Sequence, residues 1–353
     1  MLQYLMIALI SDLHYYLPKT SNNNSQRLEV LHKSLEWVKE TAKSKGVKTL
    51  AILGDTVEYK DRIDIFVQDT LRQHFIGLRE VFETIYLLVG NHETVFSRDN
   101  SVNFMSMFDE YKGFRVFHDF EIVNAPEANF YFMPFFKDDV LLEKRESIKP
   151  LDRSKKNFLF THQSFKNFDV GGGHEDVWSE ISSEIFEELG FDHIFSGHFH
   201  KHQTLGKTSY VSSLITGNFA EKNEEAYHGM IILDETKGKW KFFANPHTPK
   251  YRVLEFNKQN VASIMSEGGT FTKFLLKQTY EVEKLYKIKE KLLQNNYDIF
   301  FVNDIEVESN FTKIDDWTSI ITQSPESILK EFVSHTSGNI DPTKAIEYLE
   351  KLA

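Results

Sequence analysis

Five times within the first two hundred residues, an apolar run hands over at its C-terminal end to a carboxylate, an amide or an imidazole. "LMIALI" passes into Ser11-Asp12-Leu13-His14 and "KTLAIL" into Gly54-Asp55. "TIYLLV" leads to Gly90-Asn91-His92-Glu93, "NFLF" to Thr161-His162, and "HIF" to Ser196-Gly197-His198-Phe199-His200. Short apolar runs set between helical patterns are the mark of an α/β chain. In open α/β sheets, binding sites form outside the carboxyl ends of the strands. The constraint on the fold is therefore strong: it must bring these strand ends to one place. Glycine stands directly before the polar residues at Gly54, Gly90 and Gly197, which suits sharp turns close to a bound species. A lone Asp or His at a strand end is ordinarily a turn or cap residue. A series with one donor chemistry points instead to a shared site.

Asp12, His14, Asp55, Asn91, His162, His198 and His200 make seven donors. That is too many for one ion and enough for two, provided that one carboxylate bridges. Oxygen and imidazole donors without sulfur suit Mn, Fe or Zn rather than Cu(I). Two such ions about 3.5–4 Å apart clamp and polarise a phosphate and activate water as the nucleophile. His92, beside Asn91, is left over to protonate or orient the leaving group. His202 continues the alternate spacing of His198 and His200, and residues i, i+2 and i+4 share one face of an extended chain. An exposed or supporting role suits it better than an eighth ligand.

The absence of cysteine excludes disulfides, thiolate zinc sites and thiol nucleophiles, and it fits a reducing compartment. The net charge of −11 argues against a broadly basic surface, so any contact with nucleic acid must be local. The first apolar run is short, has no basic residue before it and enters Ser11-Asp12 at once. It reads as a strand and not as a signal peptide or a membrane span, so a cytoplasmic protein is expected.

"RLEVLHKSLEWVKETAKSKG" places Leu28, Leu31, Leu35 and Val38 on one helical stripe and stops at Gly46. "FRVFHDFEIV", "NFYFMPFF", "TSYVSSLI", "GMIILDE" and "KWKFFAN" read as strands, several of them antiparallel. "NPHTPKY" has the texture of a domain boundary. After it the sequence predicts one strand, a Lys-rich helix in "EVEKLYKIKEKLLQ" and a strand in "DIFFVNDIEV". Two short C-terminal helices follow, opened by Ser324-Pro325 and Asp341-Pro342. Gly171-Gly172-Gly173 reads as a loop, with His174 a candidate to reach substrate from it.

Asp-x-His, Gly-Asp, Gly-Asn-His-Glu, a lone His and Gly-His-x-His, in that order, resemble the calcineurin-like metallophosphoesterase superfamily over about residues 4–235. The resemblance implies a four-layer α/β/β/α sandwich holding a dinuclear site. Carried over by position, Asp12, His14, Asp55 and His200 would hold one ion. Asp55, Asn91, His162 and His198 would hold the other, with Asp55 bridging, and His92 matches the catalytic histidine. The implied organisation is a phosphoesterase domain over 1–245, a smaller α/β cap over 246–322 and C-terminal helices over 323–353 that bind a partner.

Within the superfamily, "GDTVEYK" lacks the Asp-Arg-Gly of the Ser/Thr phosphatases. "FLFTHQSF", the passage "FDHIFSGHFHKHQ" to "SYVSSLITGNFAE", and the extension after "NPHTPKYRVLEF" resemble the SbcD-type and Mre-eleven-type nucleases, the phage subunits in particular. Val211-Ser212-Ser213 departs from the Val-Gly-Ser often found there. This resemblance implies a Mn-dependent exonuclease and endonuclease of DNA repair and recombination, with Mg, Fe or Zn as alternative metals. It would work as a homodimer with an SbcC-type coiled-coil ABC ATPase. Lys156, Lys166 and Lys201 are the candidate DNA contacts, with Arg153, Lys155 and Lys207 near them in sequence and Lys284, Lys287, Lys289 and Lys291 in the cap. The alternative is a stand-alone phosphodiesterase or phosphatase acting on a nucleotide or a phosphoprotein.

Overall fold

The computed structural model describes residues 6–17, 26–96, 99–149, 151–171, 174–175 and 179–304. Two six-stranded sheets lie face to face. The first orders its strands Lys239–Ala244, Gly229–Asp234, Met6–Ile10, Thr49–Leu53, Thr84–Leu88 and Phe114–Phe117. Its last four strands are parallel, and the hairpin Gly229–Asp234/Lys239–Ala244 adds on antiparallel. The second sheet runs Gln203–Leu205, Thr208–Tyr210, His193–Gly197, Lys156–His162, Ala128–Met133 and Glu121–Asn124, parallel in its middle and antiparallel at both edges.

The period of two along each strand builds the layers. Ile7 and Leu9 face the second sheet, as do Ala51 and Leu53, while Ala8, Ile10, Leu50 and Ile52 face the other way. On that outer side lie the helices Gln26–Lys45 and Ile65–Leu78, burying Leu28, Leu31, Leu35, Val38, Val67, Leu71 and Phe75. In the second sheet, Phe158, Phe160 and Phe195 point inwards. Leu159 and Ile194 pack outwards with Val140 and Leu141 of the helix Asp138–Glu146 and with Phe186. The arrangement is the expected α/β/β/α sandwich. Aromatic rings fill the space between the sheets: Phe132 stacks on Phe117 at 3.9 Å and meets Tyr86 at 5.0 Å and Phe160 at 5.1 Å.

Several elements differ from the sequence expectation. "FRVFHDFEIV" is two strands in different sheets, Phe114–Phe117 and Glu121–Asn124. His118 breaks the run by bonding Asp109 at 3.0 Å, and the chain crosses between the layers there. "TSYVSSLI" is extended only over Thr208–Tyr210, because Ser212 takes φ 95° and the chain turns towards Ser11.

After residue 249 the expected single strand is a strand, a helix and a second strand: Lys250–Glu255, Lys258–Glu267 and Thr270–Leu276. The inward positions of Thr270–Leu276 begin with Thr270 and Thr272, which hides the apolar alternation. Together with the helix Val282–Leu292 and the strand Asp298–Asn303 they form a three-stranded parallel sheet with its own core around Ile264, Phe274 and Ile299. The expected C-terminal helices and residues 305–322 lie outside the described residues.

Phe132 is fully buried between the two sheets. Phe132→Ala should lower unfolding stability by about 3–5 kcal/mol, because the gap it leaves is bounded by rings that cannot collapse into it. Urea denaturation of both proteins checks this.

Candidate metal centre

All five ligand-bearing turns emerge at the same end of the two sheets. The turn after Met6–Ile10 is laced to the turn after Thr49–Leu53: Asp12 N–H donates to Gly54 O at 3.0 Å, His14 N–H to Asp55 O at 3.0 Å and Tyr15 N–H to Thr56 O at 2.8 Å. This pairing holds Asp12, His14 and Asp55 at φ 53°, 46° and 50°, and His198 is at 90°. Left-handed backbone at side-chain-bearing residues is uncommon and persists where its surroundings fix it. Glycine before two of the ligands has a steric reason. A Cβ on Gly54 would overlap the His162 ring, and one on Gly90 would overlap the Asp55 carboxylate.

Glu93 supplies the strongest of these ties. Its buried carboxylate accepts backbone N–H bonds from Asp55 at 3.0 Å, Val57 at 3.0 Å and Gly90 at 2.7 Å, and a short one from Thr56. One side chain thus clamps the Asp55 turn to the Asn91 turn. Burial, with the nearby Asp55 charge, pushes its carboxyl up to about 7, against the pull of those donors.

The seven predicted donors converge. His14 Nε2 and His200 Nε2 are 3.1 Å apart, with Asp12 Oδ1 at 3.9 Å from the first and 4.0 Å from the second. On the other side, Asn91 Oδ1 lies 3.1 Å from His162 Nε2 and 2.9 Å from His198 Nδ1. Asp55 Oδ2 stands between the groups, 3.2 Å from His162 Nε2 and 3.9 Å from His14 Nε2. Asp12–His14–His200 and Asp55–His162–His198 each bring three donor atoms within 4.8 Å of one another.

The far ring nitrogens set the tautomers. His162 Nδ1 lies 2.6 Å from Leu53 O, His200 Nδ1 lies 2.8 Å from Glu221 Oε1 and His14 Nδ1 lies 2.9 Å from Glu58 Oε2. Each Nδ1 proton is drawn away from the site, which leaves Nε2 to face it. His198 is turned the other way, with Nδ1 inwards. Its backbone N–H donates to both Asp12 carboxylate oxygens, at 3.1 and 3.2 Å. The donor set, the spacing and these outer partners all fit two divalent ions.

Electrostatics agree with the geometry. Burial alone would protonate Asp55, but His162, His14 and His92 hold its carboxyl far below the usual range. Burial likewise opposes charge on His162, yet Asp55 pushes it up to about 10. His200 is raised to about 9 against burial by Glu221, whose own carboxyl falls to about 2. Burial, helped by the charge of His162, lowers His198 to about 4 and keeps it neutral.

His92 N–H donates to Asp55 Oδ1 at 3.0 Å, and its ring is one-third exposed with Nε2 3.9 Å from Asp55 Oδ2. Its Nδ1 lies against Glu58 O, so Nε2 is the atom turned to the centre. The basic residues are a different matter. Lys156 opens the strand whose last residue is His162, about 20 Å away at some 3.3 Å per residue, and it pairs with Asp192 at 2.8 Å. The structure does not bring it to the centre. Lys201 is held by Asp169 at 2.7 Å and Glu224 at 3.5 Å, and Lys166 is exposed.

His202 is half-buried. It stacks on Phe242 at 4.0 Å, and Nδ1 bonds Tyr210 O at 2.7 Å. The side chain of His174 and Gly172-Gly173 lie outside the described residues. Sequence reasoning missed Glu58, Glu221 and Arg27, whose Nε donates to His14 O at 3.0 Å. No spacing rule marks them, since Glu58 and Glu221 act from turns and Arg27 from the start of the helix Gln26–Lys45. Glu93 stands inside the quoted motif, and its position beside His92 was the available signal.

With no ion bound, His200 and His162 keep their protons to about 9 and about 10. A ligating Nε2 must be deprotonated, so metal affinity should rise as the pH climbs towards about 9 and about 10, and binding should release protons. Calorimetric titration with manganese in two buffers of different ionisation enthalpy measures both. A pH-independent affinity would contradict the assigned ligands.

A family model for calcineurin-like phosphoesterases matches residues 5–202. No curated protein matches the sequence. Among solved structures, the chain is similar to a dimetal phosphatase from Danio rerio. That match is 12% identical, covers 65% of this chain and 92% of that one, and has a TM-score of 0.41. It is also similar to a purple acid phosphatase from yellow lupin (Lupinus luteus) seeds, 12% identical over 68% of this chain and 45% of the lupin chain, with a TM-score of 0.39. The family model spans more than half of the chain, and the protein therefore belongs to the calcineurin-like phosphoesterases, metal-dependent hydrolases of phosphate esters.

Proposed function

We propose that this chain is the nuclease subunit of a DNA repair and recombination complex, a Mn-dependent exonuclease and endonuclease that acts with a coiled-coil ABC ATPase as a homodimer in the cytoplasm. The observation that carries this reading is the parallel α/β unit over 250–303, set against the loop that fixes His200. Tyr251 O–H donates to Gly217 O at 3.0 Å, and Gly217 N–H donates to Glu221, the partner of His200. An added unit bonded to the loop that supports a metal ligand suits a polymer better than it suits a minimal phosphatase. The sequence resemblance to SbcD-type nucleases over the fourth and fifth ligand turns supports the same reading.

Asp12, His14 and His200 would hold one ion and Asn91, His162 and His198 the other, with Asp55 shared. When bound, the pair supplies Lewis-acid polarisation of the phosphate and a lowered water pKa. The chain itself does the rest. Asp55 and Asp12 fix negative charge at the centre, and Glu58 and Glu221 orient His14 and His200. His92 presents Nε2 from a solvent-open position, from which it can deliver a proton to the leaving oxygen and be reprotonated from water.

A second reading has its own observation. Lys156 and Lys201 are committed to carboxylates, and the net charge is −11, which favours a small phosphodiester over a bare duplex. Under the nuclease reading, the ATPase would supply much of the attraction for DNA.

His92→Gln should lower kcat by about a hundred- to ten-thousand-fold while manganese content and the circular dichroism spectrum stay as in the wild type. Linear DNA should be degraded with manganese and faster with the cognate ATPase. Turnover of a generic phosphodiester without any DNA cleavage, even with the ATPase present, would leave the small-substrate reading in its place.

A further inference from the structure

A cavity of about 180 Å³ lies between the sandwich and the α/β unit, and its lining is bonded to the supports of His14 and His200. Five aromatic residues line it: Tyr16, Phe219, Tyr251, Phe271 and Phe300. Both of its walls are built on the supports of metal ligands. On one wall, Tyr16 follows His14 by two residues, and Arg27 donates to His14 O at 3.0 Å and to Leu13 O at 3.2 Å. On the other, the loop through Gly217 and Phe219 is tied by Glu221 to His200.

The polar groups of the cavity say what it would accept. Arg27 has its Nε and one terminal nitrogen committed to carbonyls, and its guanidinium lies over the Tyr16 ring at 4.7 Å. Asp298 is paired with Lys289 at 3.1 Å. With Arg27 turned to backbone carbonyls and the Asp298 carboxylate in the same lining, rings dominate the cavity, which makes it a poor site for a second phosphate. Gln26 also lines it, and its Oε1 is buried with no hydrogen-bond partner among the described residues. A buried acceptor left without a donor is costly, and a ligand N–H would satisfy it. The volume falls below the roughly 300–1,000 Å³ of pockets for drug-sized molecules, so one planar ring system fills it.

We propose that this cavity is the nucleobase subsite of the phosphodiesterase. The base of one nucleotide lies among the rings with an N–H towards Gln26 Oε1, while its phosphate reaches the metal ligands. This rests on the reading of the substrate as a nucleic acid and adds which part of it is recognised. Aromatic stacking accepts every base because each has a π-face, so the subsite holds a strand without reading its sequence.

The test is equilibrium titration of the full chain, loaded with manganese, against thymidine 5′-monophosphate and against 2-deoxyribose 5-phosphate, which has the same sugar phosphate and no base. The nucleotide should bind about tenfold tighter or more, the worth of one stacked base. Phe300→Leu keeps apolar volume and removes the ring, and Gln26→Ala removes the acceptor. Each should shrink the ratio. Equal affinity for the two ligands in the wild type, or a ratio unchanged in both variants, would overturn the proposal. Binding is read without turnover, so the two readings can fail separately. A chain that prefers the nucleotide but never degrades DNA keeps the subsite and loses the DNA reading. One that degrades DNA and binds both ligands equally loses the subsite alone.

Discussion

The Glu93 carboxylate, buried against the backbone N–H groups of Asp55, Thr56, Val57 and Gly90, is the contact on which the centre most depends. It joins two strand ends that are parallel neighbours in the sheet but whose loops would otherwise diverge. With that joint in place, Asp55 is rigid, and Asp55 is the one donor that both halves of the site share. The lacing of the Asp12–Tyr15 turn onto Gly54–Thr56 then brings in His14. Ser213 N–H to His200 O, at 3.1 Å, and Leu214 N–H to Ser11 O, at 3.1 Å, bring in the last turn. The strained φ values at Asp12, His14, Asp55 and His198 are offset by these bonds and by the packed sheets beneath them.

A site of this kind stores opposed charges at close range. Asp12 and Asp55 are buried almost completely, and the imidazoles around them hold the proton count that a cation would otherwise replace. Outer carboxylates, Glu58 and Glu221, complete the balance from behind His14 and His200. Proton and metal compete for the same lone pairs at this centre.

Much of this was legible in the sequence, and the reasons are physical. Period-two alternation in "LMIALI" and "NFLF" places every second residue between the sheets, so both the layers and the convergence of strand ends could be anticipated. The ligands could be read because strand ends are fixed by the runs before them. What the sequence hid was whatever depends on distance along or across an element. Lys156 is close to His162 in sequence but at the other end of a seven-residue strand. His202 keeps the spacing of His198 and His200, yet the chain turns after His200 and the ring packs on Phe242. The strand Thr270–Leu276 was hidden because buried threonines replace the expected apolar residues. Glu58, Glu221 and Arg27 act from turns and a helix start whose partners only the fold reveals.

The shared carboxylate is the centre of the account, and metal stoichiometry tests it most directly. Equilibrium dialysis with manganese, read by electron paramagnetic resonance, should give two ions per chain with magnetic coupling between them. Asp55→Asn should weaken both sites together, whereas Asp12→Asn should weaken one and leave an uncoupled signal from the other. A single ion per chain, or an Asp55→Asn protein that still binds a coupled pair, would contradict the dinuclear arrangement.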